Sequence, residues 1–250
     1  MNGYQCGDKS SKTLIFYPKP KSDALATLDS FHVVVYAHGI GGGIDGCDSW
    51  LTTVASRGLI VVAPFTSGGA CETEYQDILL ALSAAKKGGA SLHPALQMAD
   101  WTRTGVFGHS MGGMSVPGAA VAAAKYNITC MLSSHGAIRG LHPWGGGEWG
   151  TNRIAIPSMF TTGSADTTVP AADVRAAFDA CPARPKIFAE LVGAGHMEPR
   201  DGGKRLNNFD ADFLACHVSN RTESCELIYG QGPHSLCKAN AYTSCVIDNL

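Results

Sequence analysis

Two runs, Phe31-His32-Val33-Val34-Val35-Tyr36-Ala37 and Leu59-Ile60-Val61-Val62-Ala63, constrain the fold more than any other feature of the chain. Successive side chains of a strand point to opposite faces, so a strand that is apolar at nearly every position must be covered on both. The first run ends in His38-Gly39 and the second at Pro64. Similar runs recur at 14–17, 104–107, 128–132, 157–162 and 186–192, and helical composition fills 51–56, 72–87, 171–180 and 203–216. Within 72–87, Tyr75, Ile78, Leu79 and Leu82 share one helix face. Strands alternating with helices predict an α/β fold, a mostly parallel central sheet with helices on both faces. With 250 residues, 45% of them hydrophobic, and with no repeat or linker, one domain over 1–250 is expected.

The run at 104–107 leads into Gly108-His109-Ser110-Met111-Gly112, followed by Gly113. This fits G-x-S-x-G, in which a serine sits on a sharp turn between a strand and a helix. Side chains two residues either side would collide there, and glycine removes the collision. The turn presents the hydroxyl at a helix start, whose unpaired NH groups favour developing negative charge. The helix that follows contains Pro117, which should remove one hydrogen bond and bend the axis.

In open parallel sheets, ligands sit beyond the carboxyl ends of the strands. The residues expected there include His38 to Gly43, Ser110, Asp166 in Gly163-Ser164-Ala165-Asp166, and His196 in Gly193-Ala194-Gly195-His196. The order Ser, Asp, His resembles that of α/β-hydrolases. A serine hydroxyl is a poor nucleophile until an imidazole takes its proton, and the imidazole needs a carboxylate to hold its tautomer. Ser110, Asp166 and His196 are therefore the expected catalytic residues. Oxyanion donors are expected from the backbone NH groups of Met111 and Ile40, whose side chains would remain free to shape the substrate cleft. Activity should fall at acid pH as His196 takes a proton. A non-catalytic ligand-binding protein of the same fold is a second reading, against which the intact trio argues. An acyltransferase is a third, using the same residues and separable by supplying competing acceptors.

Other chemistries find less support. A net charge of −2 gives no basic stripe for nucleic acid or anionic membranes. Residues 104–124 carry no formal charge over 21 positions, but five glycines, Pro117, His109 and Ser110 favour a buried strand and helix over a membrane span. Gly41-Gly42-Gly43-Ile44-Asp45-Gly46 matches G-x-G-x-x-G, yet the next strand ends Val62-Ala63-Pro64-Phe65 without the acidic residue a dinucleotide site needs. His196-Met197-Glu198 resembles H-x-E but no P-C-x-x-C follows. The histidines at 32, 93, 135, 142, 217 and 234 lack metal-ligand spacing and are expected to be structural or exposed. Neither a metal nor an organic cofactor is expected.

Nine cysteines, none in a C-x-x-C pair, favour an oxidising, extracellular setting, as do the sequons Asn127-Ile128-Thr129 and Asn220-Arg221-Thr222, of which Asn220 is the better candidate. An odd count leaves one thiol over, and Cys130, in an apolar run, is the expected buried one. Crowding of Cys216, Cys225, Cys237 and Cys245 predicts a disulfide-stapled tail from about 217, in a connectivity the sequence leaves open. Residues 1–12 are polar, as at a mature or trimmed end. A monomer is expected.

Over roughly residues 13–216 the chain resembles the cutinase-like polyester hydrolases, including PET hydrolases, of the dienelactone-hydrolase-like branch of α/β-hydrolases. Gly108-His109-Ser110-Met111-Gly112-Gly113 carries the most specific match. The resemblance implies an α/β-hydrolase fold without a separate lid domain, an ester or polyester substrate, and Met111 as an oxyanion donor. It implies a cleft wall at Trp144, in His142-Pro143-Trp144, with Ile40 and His109 as further substrate contacts. Trp149 is a second candidate for that wall. Ile40 stands where the family usually has an aromatic residue, and the segment from Ser110 to Trp144 is longer than usual.

Overall fold

Strands β1 (Thr13–Phe16), β2 (Phe31–Ala37), β3 (Leu59–Pro64), β4 (Ala99–His109), β5 (Ile128–Ser134), β6 (Ser158–Gly163), β7 (Lys186–Leu191) and β8 (Tyr242–Asp248) form one sheet in the order β1-β3-β2-β4-β5-β6-β7-β8. The structure is a computed structural model describing residues 13–18, 30–40, 46–64, 74–136, 151–200 and 203–249. The six inner strands are parallel, while β1 and β8 close the two edges antiparallel. The chain passes from β2 outward to β3 and returns to β4, which lies on the other side of β2. That reversal opens a crevice beyond the carboxyl ends of β2 and β4.

Helices α1 (Asp48–Ser56), α2 (Glu74–Gly88), α3 (Met111–Val121), α4 (Ala123–Tyr126), α5 (Ala171–Ala180), α6 (Asn207–Ser219), α7 (Thr222–Tyr229) and α8 (Leu236–Ala239) lie among the described residues, with short 3-10 turns at Gly89–Ser91, Pro94–Met98 and Thr151–Arg153. Alternation along β2 shows how the sheet is covered. Val34 and Tyr36 join the apolar cluster containing Trp50 and Val54 of α1 and Phe213 and Leu214 of α6. Val33 and Val35 join the opposite cluster, with Ile78 and Leu82 of α2, Val116 of α3 and Phe178 of α5. The expected architecture is thus present, each face of the sheet having its own core.

Several boundaries differ from the sequence reading. Strand β4 begins at Ala99, because residues 99–103, which include Asp100 and Arg103, extend the apolar run as a more exposed ladder. Strand β5 continues to Ser134, since Ser133 and Ser134 are polar yet wholly buried and pair with β6. The tail from 217 is not merely stapled to the surface. Its strand β8 pairs with β7 from Tyr242 to Asp248, and Ile228 and Leu236 enter the core. Disulfides join Cys216 to Cys225 and Cys237 to Cys245. Cys130 is a buried free thiol as expected, but Cys181 is another, so at least two thiols remain. Cys6, Cys71, Trp144, Trp149 and Gly41 to Gly43 lie outside the described residues.

Pro117 does stand inside α3, which nevertheless runs unbroken. Its missing NH would have bonded the Gly113 carbonyl, four residues back. The hydroxyl of Ser133, on β5, donates to that carbonyl at 2.7 Å. The uncharged stretch 104–124 resolves into the end of β4, α3 and the start of α4, and no described helix is long and apolar enough to cross a membrane.

Candidate active site

Ser110 stands between β4 and α3 with φ 56° and ψ −120°, a backbone conformation that side-chain-bearing residues adopt only under strain. What holds it there is close packing of backbone. A Cβ on Gly108 would lie 2.6 Å from the Gly112 carbonyl carbon and 2.8 Å from the Ala37 oxygen; one on Gly112 would overlap that same oxygen. The elbow glycines therefore let α3 start directly against the end of β2. The Ser110 NH donates to the Ser134 carbonyl at 2.9 Å, tying the turn to β5 as well.

The turn after β2 also meets the serine, since a Cβ on Gly39 would come 3.1 Å from the Ser110 Cβ. His38 Nδ1–H donates to the Gly39 carbonyl at 2.8 Å and pins this turn. Met111 is the first residue of α3, so its NH has no acceptor within the helix. Of the two expected oxyanion donors, Met111 follows the serine directly in the chain, and Ile40 follows Gly39, whose backbone lies against it. Their side chains differ. That of Ile40 is 66% exposed, whereas Met111 is buried and does not remain free at the surface.

His196, far along the chain, reaches Ser110: its Nε2 lies 2.9 Å from Ser110 Oγ. Its Nδ1–H donates to Asp166 Oδ2 at 2.8 Å, which leaves Nε2 as the acceptor for the serine proton. Asp166 Oδ1 accepts from the NH groups of Thr168 and Val169, at 2.9 and 2.8 Å. Burial would push the Asp166 carboxyl up, but hydrogen bonds from His196 and the Val169 NH outweigh it and hold the group below the ordinary carboxylate range. An ionised, fully partnered carboxylate behind a histidine behind a serine is an arrangement that can move a proton from Oγ to Nε2.

His109 is placed differently from expectation. Its ring is turned inward and only 2% exposed, and Nε2–H donates to the His196 carbonyl at 2.7 Å. It therefore supports the turn carrying His196 and presents no surface to a substrate. A flanking position in the elbow motif says nothing about which way a ring turns.

Two residues that sequence reasoning did not use also shape the site. Glu198 accepts from the NH groups of Gly203 and Arg205 and from the Arg205 guanidinium, at 2.9 to 3.3 Å, closing the segment after His196 into a loop. Its H-x-E spacing marks no metal site, and its partner is the Arg205 guanidinium seven residues on. His135 follows β5 directly, fully buried, with φ 51°. Taking β5 only to residue 132 hid its strand-end position. No group of His, Cys, Asp or Glu side chains among the described residues is arranged to hold a metal.

No curated protein sequence matches the chain. The profile of the PET hydrolase-like (PETase) family matches residues 10–245, nearly the full length. With an eight-stranded, mostly parallel sheet and a serine at the tip of its elbow, the chain belongs to the PET hydrolase-like family, which implies a carboxylic-ester hydrolase of the serine type.

Proposed function

We propose that the protein is a secreted hydrolase that cleaves acyl esters, polyesters among them, through an acyl-enzyme on Ser110. His196 takes the Ser110 proton as Oγ attacks the ester carbonyl, and the NH groups of Ile40 and Met111 bind the oxygen that becomes negative. The tetrahedral intermediate collapses, its C–O bond to the alcohol breaks, and His196 returns the proton to the departing alkoxide. Water then repeats the sequence on the acyl group and regenerates Ser110. Asp166 keeps His196 in the required tautomer throughout. The observation that carries this reading is the chain of hydrogen bonds from Ser110 through His196 to Asp166, at 2.9 and 2.8 Å. The family match and the exposed side chain of Ile40 are the basis for extending the substrate class to polymers.

Secretion accords with the two disulfides. Asn220 is exposed at the left-handed end of α6 and is the favoured glycan acceptor. Fluorophosphonate labelling followed by peptide mapping tests the class: the label is expected on Ser110, with Ser110→Ala losing both label and turnover of nitrophenyl esters. Label elsewhere, or turnover retained in Ser110→Ala, overturns it. A nitrophenyl-ester chain-length series and a polyester film assay then test the substrate, and release of soluble products from film is the expected result.

A further inference from the structure

Behind His196 the structure packs two other imidazoles that the hydrolytic mechanism does not use. The rings of His109 and His135 lie 4.9 and 6.0 Å from that of His196 and 5.8 Å from each other, centroid to centroid. Both are nearly or wholly excluded from solvent. His109 Nε2–H donates to the His196 carbonyl. His135 Nδ1 lies 3.0 Å from Ser134 Oγ, whose hydroxyl supplies the proton of that bond if Nδ1 is the unprotonated nitrogen. Its Nε2–H then faces the Gly195 carbonyl, a contact felt electrostatically but short of hydrogen-bonding geometry. Two buried imidazole NH groups thus address two successive carbonyls, those of residues 195 and 196.

We propose that His109 and His135 are a pair of positioning residues that set the backbone of Gly195 and His196, and through it the aim of the His196 ring at Ser110. The inference rests on the hydrolytic reading above and deepens it. Gly195 would meet nothing within 4 Å if given a Cβ, and Gly193, two residues earlier, adopts φ 69°. The turn has few side chains of its own to fix it, so its place must come from outside. Ser164 Oγ and the Ala165 NH hold residues 193 and 194, Glu198 fixes the far end, and the imidazoles address the two carbonyls between. Cost is visible at His135, a non-glycine residue held at positive φ with a buried nitrogen lacking a hydrogen-bond partner among the described residues.

The pair must stay uncharged to do this. Burial pushes His109 down to about 4, with the neighbouring His196 and Arg200 lowering it further against the His196 carbonyl and Asp166. Burial likewise pushes His135 down to about 3, helped by His109 and His196 and opposed by Asp166 and the Gly195 carbonyl. Each ring therefore keeps a single NH and stays neutral at neutral pH, so neither adds positive charge beside the imidazolium formed on His196 during turnover.

The test compares His109→Leu, which removes the NH donor, with His109→Gln, which keeps one, and with His135→Asn, which tolerates the left-handed backbone. A displacement near 1 Å at a reacting group costs up to about 100-fold. Expected for His109→Leu is a fall in kcat of tenfold or more with KM within twofold, a parallel fall in fluorophosphonate labelling rate, and most of both recovered in His109→Gln. His135→Asn should lower kcat by about threefold or more in the same pattern, and it carries the test should His109→Leu not fold. Unchanged kcat in folded His109→Leu or His135→Asn overturns the proposal, as does a Gln variant no better than Leu. Ser110→Ala runs alongside: turnover surviving there would sink the hydrolytic reading itself, whereas dead Ser110→Ala with fully active histidine variants sinks only the positioning role.

Discussion

Asp166 and Asp210 are both buried aspartates, one beyond the carboxyl end of β6 and the other in the first turn of α6, and they behave oppositely. Asp166 has a partner for each oxygen and lies below the ordinary carboxylate range. Asp210 has no hydrogen-bond partner for either oxygen among the described residues, and burial pushes its carboxyl well up. The Trp50 indole offsets part of that push without reaching hydrogen-bonding geometry. Burial is common to both, so it is the supply of donors that decides whether a sequestered carboxyl is charged. At one place the chain surrounds the acid with NH groups and an imidazole; at the other it sets the acid on a helix whose Phe209, Ala211 and Phe213 belong to an apolar cluster.

The largest effect that would test this contrast is at Asp166. Asp166→Asn keeps the shape but cannot hold His196 with Nδ1 protonated, and steady-state kinetics on a soluble ester should show kcat falling by about 10,000-fold. A loss below tenfold would mean that the carboxylate's charge is not what orders the histidine. Next comes Glu198, which shares the Asp166 pattern: burial pushes it up, and Arg205 with the NH groups of Arg205 and Gly203 brings it below its usual range. Glu198→Gln should loosen the loop after His196 and lower kcat by about tenfold, with a lower Tm.

The smallest effect, and of opposite sign, is at Asp210. A carboxyl whose folded value is raised contributes stability fully present at low pH, lost as the pH climbs from the ordinary carboxylate range through the raised folded value. Asp166 works the other way, its contribution being present above the ordinary range and lost as the pH falls through its lowered folded value. Asp210→Asn should therefore stabilise the protein at pH 8 by on the order of 1 kcal/mol, read as about 2–4 °C in Tm, and the gain should vanish near pH 3. A gain independent of pH would break the comparison.

Much of this was legible in the residues themselves. Strands apolar on both faces announced a sheet with two cores, and Gly108-His109-Ser110-Met111-Gly112 announced the elbow, because steric exclusion leaves few alternatives to glycine there. Asp166 and His196 followed from their places after strands. What could not be read depended on contacts made across the chain. Buried polar ends such as Ser133 and Ser134 disguise where a strand stops, so the sequence marks His135 as structural or exposed without placing it at a strand end. The ring of His109 points inward because an acceptor 87 positions away awaits it. Strand β8 pairs through backbone with β7, its Thr243 exposed and its other side chains only partly buried, so its pattern carried no apolar signature.

The hydroxyl that replaces the missing donor at Pro117 has a mechanical consequence. An ordinary coil absorbs axial breathing by stretching its own bonds, one turn against the next. Here the Gly113 oxygen is bound across to Ser133 in the neighbouring strand. Any sliding of α3 that would draw its first turn away from the sheet must rupture a bond to the scaffold, so the nucleophile travels with the sheet.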